Sequence, residues 1–406
     1  MGSVSSRVVR EETQRPAQWP SWPVFAADER AAVDSVLASG KVNYWTGQET
    51  RAFEDEYARV LGVRHAIALA NGTVALELAL RCWGIGPGDD VIVTPRSFLA
   101  SASAAVLQGA RPVFADVDPD SQNVTAQTIA AVLTPRTKAV ILVHLAGWPC
   151  DMDPIVRLAQ ERGIKVLEDC AQAHGATYRG RPVGSIGDAG AFSFCQDKIL
   201  TTGGEGGLLV MNDPALWSAA WSFKDHGKSW ESVYRKAHPP GFRWVHDSFG
   251  TNWRMTELQG AIGRVQLAKL PAWHSARTRN ATLFQKRLGS LELLRVPQPT
   301  TDVVHAWYRF YAFVRPERFA PSWNRDRLMS AIAGSGVPCF SGSCSELYNE
   351  KAFEGTGWRP AQPLPVAREL GETSLTLLVH PTLAESHIEE MCRIIEPIVR
   401  EATLAS

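Results

Sequence analysis

Lys198 is the residue with the clearest potential for chemistry in this sequence. It follows a short apolar run and precedes a glycine-rich loop, in the stretch GDAGAFSFCQDKILTTGGEGG at 187–207. Partial desolvation there is expected to lower the pKa of the lysine and to favour the neutral amine that attacks an aldehyde. The glycines allow sharp turns around a bulky ligand. A solvated surface lysine and another kind of phosphate loop remain alternatives, although the GxxxxGK[ST] order of a P-loop is missing.

Two further polar groups follow predicted strands, where ligands collect in open α/β sheets. Asn71-Gly72-Thr73 stands between a strand and a helix. Its backbone N–H groups and its hydroxyl suit a phosphate, or it forms an ordinary helix cap. Glu168-Asp169 follows the apolar Val166-Leu167, and an acid there suits a protonated ring nitrogen, or it makes a surface charge or a salt bridge. A lysine, an anion site and an acid together meet the needs of a phosphorylated aldehyde cofactor.

The elements that must position these groups follow from the pattern of apolar runs. Strand-like runs at 65–70, 91–94, 111–117 and 164–170 alternate with helical patterns. This alternation, with strands that are continuously apolar, predicts an α/β fold with a mostly parallel sheet between helices. We predict a flexible N-terminal lead-in over residues 1–24, a large domain over 25–275 and a smaller C-terminal α+β domain over 276–406.

Composition excludes several classes of function. The 406 residues contain 42 Lys plus Arg and 42 Asp plus Glu, so nothing in the overall charge favours nucleic acid or an anionic membrane. No apolar run reaches the roughly 20 residues that span a bilayer. The seven cysteines include no CxxC pair, which fits reduced thiols in a cytoplasmic protein. No metal site is predicted.

Several segments together resemble the DegT/StrS family of sugar aminotransferases, which depend on pyridoxal phosphate (PLP) and have fold type I. They are SGKVNYWTGQE, NGTVALELAL, HLAGWPCDMDPI, VLEDCAQAHGA, FSFCQDKILTTGGEGG and FGTNWRMTELQGAIGRVQL, in the family's order. They cover about residues 25 to 275. The C-terminal third is similar more loosely, mainly in LPVARELGETSLTLLVHPTL. A set of ordered motifs is far more specific than any one of them.

The resemblance implies a role for each matching position. It implies that Lys198 bonds to the cofactor and then moves protons, and that Asp169 pairs with the pyridinium nitrogen. It implies that the phosphate is held by Gly72, Thr73 and Ser193, and that the two faces of the ring are covered by Phe98 and Gln172. Asn252 is expected to contact the phosphate of a neighbouring subunit's cofactor. The last role would make the active unit a homodimer with shared active sites.

Five further residues are weaker candidates for a role in the site. His174 follows the Asp169 segment, but a hydrogen-bonded structural histidine is the favoured interpretation. Arg254 either meets an acidic substrate or braces the Asn252 loop. Tyr44, Trp45 and His305 are possible sugar contacts.

The implied reaction moves an amino group, with L-glutamate as the family's usual donor, onto a nucleotide-linked keto sugar in amino-sugar, polysaccharide or lipopolysaccharide biosynthesis. A cyclitol ketone is an alternative acceptor that the sequence hardly separates. A sugar dehydratase of the same family carries histidine in place of the lysine, so Lys198 argues against it. A non-catalytic regulatory homologue usually loses catalytic groups or gains a DNA-binding segment, whereas Lys198 and Asp169 are present here.

Overall fold

The central element of the fold is a seven-stranded sheet in the computed structural model, which describes residues 19–404. Its order is β1-β9-β8-β5-β4-β2-β3. Only β9 runs antiparallel to its neighbours, β1 and β8, and the other pairs in the sheet are parallel. The strands are β1 His65–Leu69, β2 Asp90–Val93, β3 Arg111–Phe114, β4 Thr137–Val143, β5 Lys165–Asp169, β8 Ala189–Ser193 and β9 Gly207–Met211. The prediction of a mostly parallel α/β sheet is confirmed.

Helices cover both faces of this sheet because side chains alternate along each strand. In β1, Ile67 and Leu69 join one apolar cluster, whereas Ala66 and Ala68 join another on the opposite face. The helices of this part are α1 Ala27–Ser39, α2 Glu49–Leu61, α3 Gly72–Cys82, α4 Ala100–Leu107, α5 Ala126–Ala130, α6 Met152–Arg162, α7 Pro214–Lys224, α8 Trp230–Tyr234 and α9 Glu257–Leu288.

A second, four-stranded antiparallel sheet forms the C-terminal part, in the order β10-β12-β14-β13. Its strands are β10 Leu294–Arg295, β12 Phe310–Val314, β13 Cys339–Phe340 and β14 Ser374–Leu377, and its helices are α10 Arg325–Gly334, α11 Pro365–Thr373 and α12 Glu385–Ala402. Short strands β6 Thr177–Tyr178, β7 Arg181–Pro182 and β11 Val303–Val304 form a third sheet. The predicted domain division at 275/276 falls inside α9, which is continuous across it, so the exact boundary stays a prediction.

The segment before α1 packs against the protein at two tryptophans. The indole N–H of Trp19 donates to the Gly336 carbonyl at 2.6 Å, and that of Trp22 donates to the Lys198 carbonyl at 2.9 Å. These two contacts fasten residues 19–24 to the rest of the protein, and the flexibility of the lead-in over residues 1–24 stays a prediction. Residues 1–18 lie outside the described part.

No helix between residues 19 and 404 combines the length and the apolar character needed to cross a bilayer.

Candidate active site

A cavity of about 650 Å³ opens at the carboxyl ends of β5 and β8 and at the start of α3. Ligands bind at this edge of α/β sheets because loops and helix N-termini converge there. Seven of the eight predicted site residues line the cavity: Gly72, Thr73, Phe98, Asp169, Gln172, Ser193 and Lys198. Asn252 does not.

The N-terminus of α3 has the geometry of an anion site. The Asn71 side chain caps the helix by accepting the Val74 N–H at 3.0 Å. The N–H groups of Gly72 and Thr73 find no acceptor within residues 19–404. A Cβ atom on Gly72 would lie 2.7 Å from the Ser193 Cβ, so only glycine lets the helix start this close to β8. Free N–H groups at a helix N-terminus attract phosphate through both hydrogen bonds and the helix dipole.

Asp169 ends β5 as a buried carboxylate with few partners. It is 6% exposed, and it accepts hydrogen bonds from the Ser101 hydroxyl at 2.9 Å and from the Ala171 N–H at 3.2 Å. Burial raises the pKa of Asp169, and no cation among residues 19–404 lies in contact with the carboxylate to offset this effect. A protonated ring nitrogen in the cavity would supply that cation.

Lys198 lies in the cavity wall next to Asp197. Its Nζ is 3.2 Å from Asp197 Oδ1 and 5.2 Å from the centre of the Tyr308 ring, and the Tyr308 hydroxyl donates to the other oxygen of Asp197. Burial by itself lowers the pKa of Lys198, but Tyr308 and Asp197 outweigh it and raise the pKa above the usual value. The predicted lowering of the pKa by desolvation is therefore wrong, since the sequence argument left out these two partners.

The glycine-rich loop after Lys198 turns as expected. Gly203 and Gly204 have φ angles of +87° and +122°, a region that side chains disfavour. The prediction that glycines allow sharp turns beside the cavity is confirmed.

Phe98 and Gln172 line the cavity at positions suited to a planar ligand. Phe98 is 74% exposed, which is unusual for a large aromatic side chain in a folded chain. Gln172 is held in place, because its side-chain oxygen accepts the Ala146 N–H at 2.7 Å. An aromatic face open to a cavity is free to stack on a ring.

Asn252 is exposed and lies away from the cavity of its own chain. Its backbone pairs with that of Asp225, and Arg254 Nη1 contacts the Asp225 carboxylate at 2.6 Å. Arg254 therefore braces this loop, the second of the two roles considered for it. Whether Asn252 reaches a neighbouring subunit stays a prediction.

The other weak candidates lie outside the cavity. His174 is fully buried, with Tyr57 Oη 2.7 Å from Nδ1 and the Ser193 carbonyl 2.9 Å from Nε2, so it has the structural role favoured for it. Burial lowers its pKa to about 3. Tyr44 donates to Glu54, and His305 stacks on Trp307 with ring centres 3.9 Å apart. Trp45 is partly buried in the cluster on the α3 side of the sheet. None of Tyr44, Trp45 and His305 lines the cavity.

Sequence reasoning missed three residues that orient the site: Ser101, Asp197 and Tyr308. Asp197 directly precedes the lysine, and this adjacency was a usable signal. Ser101 lies in a run of small residues and Tyr308 comes from the C-terminal part, so only the fold reveals their contacts.

Glu168, the neighbour of Asp169, points away from the cavity and is structural. Its two oxygens accept the N–H groups of Gly184, Ile186 and Gly187 at 2.6–2.8 Å, and Oε2 lies 3.0 Å from His144 Nε2. His144 Nδ1 accepts the Cys150 N–H at 3.0 Å, which leaves Nε2 as the donor to Glu168. Glu168 and His144 therefore bind each other and backbone N–H groups, which makes them structural.

The site's residues fit PLP. The free N–H groups at α3 suit its phosphate, the buried Asp169 suits its ring nitrogen, and Lys198 reaches the same cavity.

The comparisons with known proteins agree with this geometry. The chain is 37% identical over 367 residues to the UDP-N-acetyl-3-dehydro-alpha-D-glucosamine 3-aminotransferase of Acidithiobacillus ferrooxidans, covering 89% of this chain and 93% of the relative. It is 34% identical to the GDP-perosamine synthase of Escherichia coli O157:H7, with 89% and 92% covered. An aminotransferase structure from Psychrobacter cryohalolentis superimposes with a TM-score of 0.93 at 53% identity, over 95% of this chain and 99% of that one.

The likeness to solved aminotransferases confirms the prediction of fold type I. A sequence profile described as the DegT/DnrJ/EryC1/StrS aminotransferase family matches residues 23–396. That family is PLP-dependent and its activity is amino-group transfer. The chain belongs to the DegT/DnrJ/EryC1/StrS aminotransferase family, and it is an aminotransferase.

Proposed function

We propose that this chain binds PLP through Lys198 and transfers an amino group from L-glutamate to a nucleotide-linked keto sugar. One observation carries the proposal: an amine, a buried carboxylate and a free helix N-terminus open on a single cavity. The acceptor class is supported by the relatives from Acidithiobacillus and Escherichia, whose names specify UDP- and GDP-linked sugars. Polysaccharide or lipopolysaccharide biosynthesis in the cytoplasm is the expected setting.

Different residues of the chain would hold the cofactor and move protons. When bound, PLP supplies an aldehyde that captures amines and a ring that accepts electrons. The N–H groups of Gly72 and Thr73, with Ser193, hold the phosphate. Asp169 keeps a proton on the ring nitrogen, and Phe98 covers one face of the ring.

Proton movement is assigned to the Lys198 amine. It would take a proton from the α-carbon of the donor and deliver it to the carbon that was the cofactor's aldehyde carbon. Asp197 positions this amine by its contact of 3.2 Å, and the Tyr308 hydroxyl in turn holds Asp197. The partly enclosed cavity limits the access of water to the reacting carbon.

A homodimer is part of the proposal, with Asn252 of each subunit near the cofactor phosphate of the other. Its exposure on the isolated chain and its bracing by Asp225 and Arg254 support a role outside its own cavity.

The main test asks where the cofactor bonds. Holoenzyme reduced with borohydride and digested should carry the pyridoxyl label on the peptide that contains Lys198. Lys198→Ala should lose both the label and all turnover, whereas Lys228→Ala, which changes a lysine outside the cavity, should keep the label. A label elsewhere, or near-normal turnover of Lys198→Ala, would reject the mechanism.

A second test identifies the acceptor. Glutamate-dependent amination is followed by mass detection over UDP-, GDP- and dTDP-linked keto sugars, with a cyclitol ketone beside them. Amination of the cyclitol ketone alone would favour that alternative acceptor. Loss of a sugar hydroxyl without gain of nitrogen would indicate a dehydratase.

A further inference from the structure

Residues 19–25 form a short strap that connects the C-terminal part with the lysine of the cavity. At one end of the strap, the indole N–H of Trp19 donates to a carbonyl of the C-terminal part at 2.6 Å. In its middle, the Thr382 hydroxyl donates to the Ser21 carbonyl at 3.0 Å. The next residue, Trp22, turns its indole N–H to the Lys198 segment instead. The strap therefore contacts the C-terminal part and the cavity wall within four residues.

The Trp22 ring is fixed by three neighbours. Its centre lies 5.0 Å from that of Trp273, edge-on at 88°, and 6.2 Å from that of His380, close to parallel at 18°. The Arg277 Cζ lies 5.3 Å from the same ring. Trp273 and Arg277 belong to α9, whereas His380 follows β14. Aromatic pairs and a cation over a ring favour particular orientations, so the direction of the indole N–H is set by residues of two parts of the protein.

Both peptide groups of Lys198 are hydrogen-bonded. Its N–H donates to the Cys195 carbonyl at 3.0 Å, and its carbonyl accepts the Trp22 indole N–H at 2.9 Å. Among residues 19–404 no other group donates to that carbonyl. The next residue, Ile199, is fully buried in the core on the α2 side of the sheet. The backbone of the lysine, and with it the direction in which its side chain leaves, is therefore fixed by one turn, one core residue and one indole.

We propose that Trp22 is a positioning residue for Lys198, whose indole N–H holds the lysine backbone so that the amine stays beside the cofactor aldehyde. This inference rests on the proposed function, since only that function gives the amine its reaction partner. Tryptophan suits the task because it joins a large ring, which its neighbours fix, to an N–H donor at the edge of that ring. A small displacement of a reacting group lowers a rate strongly, so the hydrogen bond acts on the reaction and on the fold.

A purely structural anchor is the alternative role for Trp22, and Trp19 provides the comparison. Its indole N–H donates to the carbonyl of Gly336, a residue that lines no part of the cavity. Replacing either tryptophan by phenylalanine keeps an aromatic ring and removes one hydrogen bond between an indole and a carbonyl. Loosening of the strap as such should therefore affect both variants alike. A change confined to Trp22→Phe would report its contact with the lysine.

The first measurement needs no cofactor. In the apoenzyme, amide hydrogen exchange of the peptide that contains Lys198 should become about 3- to 10-fold faster in Trp22→Phe, the loss expected for one hydrogen bond to a neutral carbonyl. The same peptide should exchange at the wild-type rate in Trp19→Phe. Unfolding in urea checks that the two variants have similar stability.

The second measurement follows the lysine as it reacts. PLP is added to the apoenzyme, and the bond to Lys198 is trapped with borohydride at timed intervals. The bond should form about 3- to 10-fold more slowly in Trp22→Phe, with an unchanged final yield. In a single turnover of holoenzyme with L-glutamate, the maximal rate should fall by a similar factor, while the glutamate concentration that gives half of it stays unchanged. Trp19→Phe should match the wild type throughout.

Equal changes in the two variants would overturn the inference, as would a normal rate of PLP bonding in Trp22→Phe. If Trp22→Phe does not fold, Thr382→Val decides, because it removes the hydroxyl that holds Ser21 and leaves the indole unchanged. Exchange at the Lys198 peptide should then rise about twofold or more, and an unchanged exchange rate would contradict the inference. A pyridoxyl label at a residue other than Lys198 would instead reject the proposed function, since the exchange of the apoenzyme does not depend on the cofactor.

Discussion

Asp169→Asn should preserve or raise the stability of the apoenzyme but lower the activity of the holoenzyme. In the apoenzyme no cation of the described chain contacts the buried carboxylate, and burial raises its pKa. A carboxylate whose folded pKa is raised costs stability once the pH exceeds the unfolded pKa, so at pH 7 this cost is present. Asparagine removes it and keeps one acceptor for the Ala171 N–H, while the Ser101 hydroxyl turns to accept from the new amide. The free energy of unfolding of the apoenzyme should therefore stay equal or rise.

The holoenzyme should lose activity through the same substitution. A carboxylate buried to 94% of its surface, the complement of its 6% exposure, would face the ring nitrogen with little competing water. Removing one partner of a buried ion pair costs about 3 kcal/mol or more, which corresponds to at least a hundredfold lower rate of transamination. The rate is measured with L-glutamate in a single turnover, and the stability by urea unfolding of the apoenzyme with tryptophan fluorescence.

Glu168→Gln provides the matched control because it changes the adjacent, equally buried carboxylate. Its new amide group would face the Gly184 N–H and the His144 ring N–H, both donors that now lack an acceptor. Each unsatisfied buried donor costs about 1–3 kcal/mol, so apo- and holoenzyme should both be destabilised by about 2 kcal/mol or more. The reasoning is refuted if Asp169→Asn destabilises the apoenzyme as Glu168→Gln does, or if it keeps near-normal turnover.

Three further predictions follow from particular contacts. Gly72→Ala places a Cβ 2.7 Å from that of Ser193, so PLP affinity in absorbance titrations should fall about tenfold or more, and unchanged affinity would exclude the phosphate role. His174 has a folded pKa of about 3 against 6.5 unfolded, so the stability it provides is complete above pH 6.5 and is lost as the pH falls towards 3. His174→Gln should therefore flatten the fall of unfolding free energy between pH 6 and 4 by about 1.4 kcal/mol per unit, whereas parallel curves would contradict its burial as a neutral ring. Asn252→Ala and Lys198→Ala should each be inactive, yet after mixing and subunit exchange they should recover roughly a quarter of wild-type turnover, since half the dimers then hold one intact site; no recovery would argue against shared sites.

The sequence predicted the parts of the site that are local in the chain. Asn71-Gly72-Thr73, Asp169 and Lys198 each stand next to a strand or helix end, and parallel strands bring such ends to one edge of the sheet. Their types also report their chemistry, since an amine beside glycines and an acid after apolar residues are unusual. Periodicity and local order therefore predicted these three groups, whereas Phe98, Gln172 and Ser193 were expected only from the resemblance to the family.

The state of the lysine could not be predicted in the same way, because a pKa depends on every neighbour in space. Desolvation was visible from the apolar run before Lys198, but Tyr308 lies 110 positions later and reaches Asp197 only after the C-terminal sheet has packed onto the large one. Trp22 lies in the segment that the sequence predicted to be flexible. In the fold it packs beside the lysine, and its indole N–H donates to the Lys198 carbonyl at 2.9 Å.

Arg277 lies on the long helix α9, which connects the core of the large sheet with the core of the C-terminal part. It follows Leu270 in α9, whose side chain packs in the core on the α2 side of the large sheet, while Phe284 further along packs in the core of the C-terminal part. A helix shared by both cores fixes the arginine between them, so the position of its guanidinium does not depend on a flexible loop. The Nη1 of Arg277 donates to the carbonyls of Trp307 and Tyr308, and its Cζ lies 5.3 Å from the centre of the Trp22 ring, so the residue ties the long helix to the N-terminal segment and to the chain just before β12.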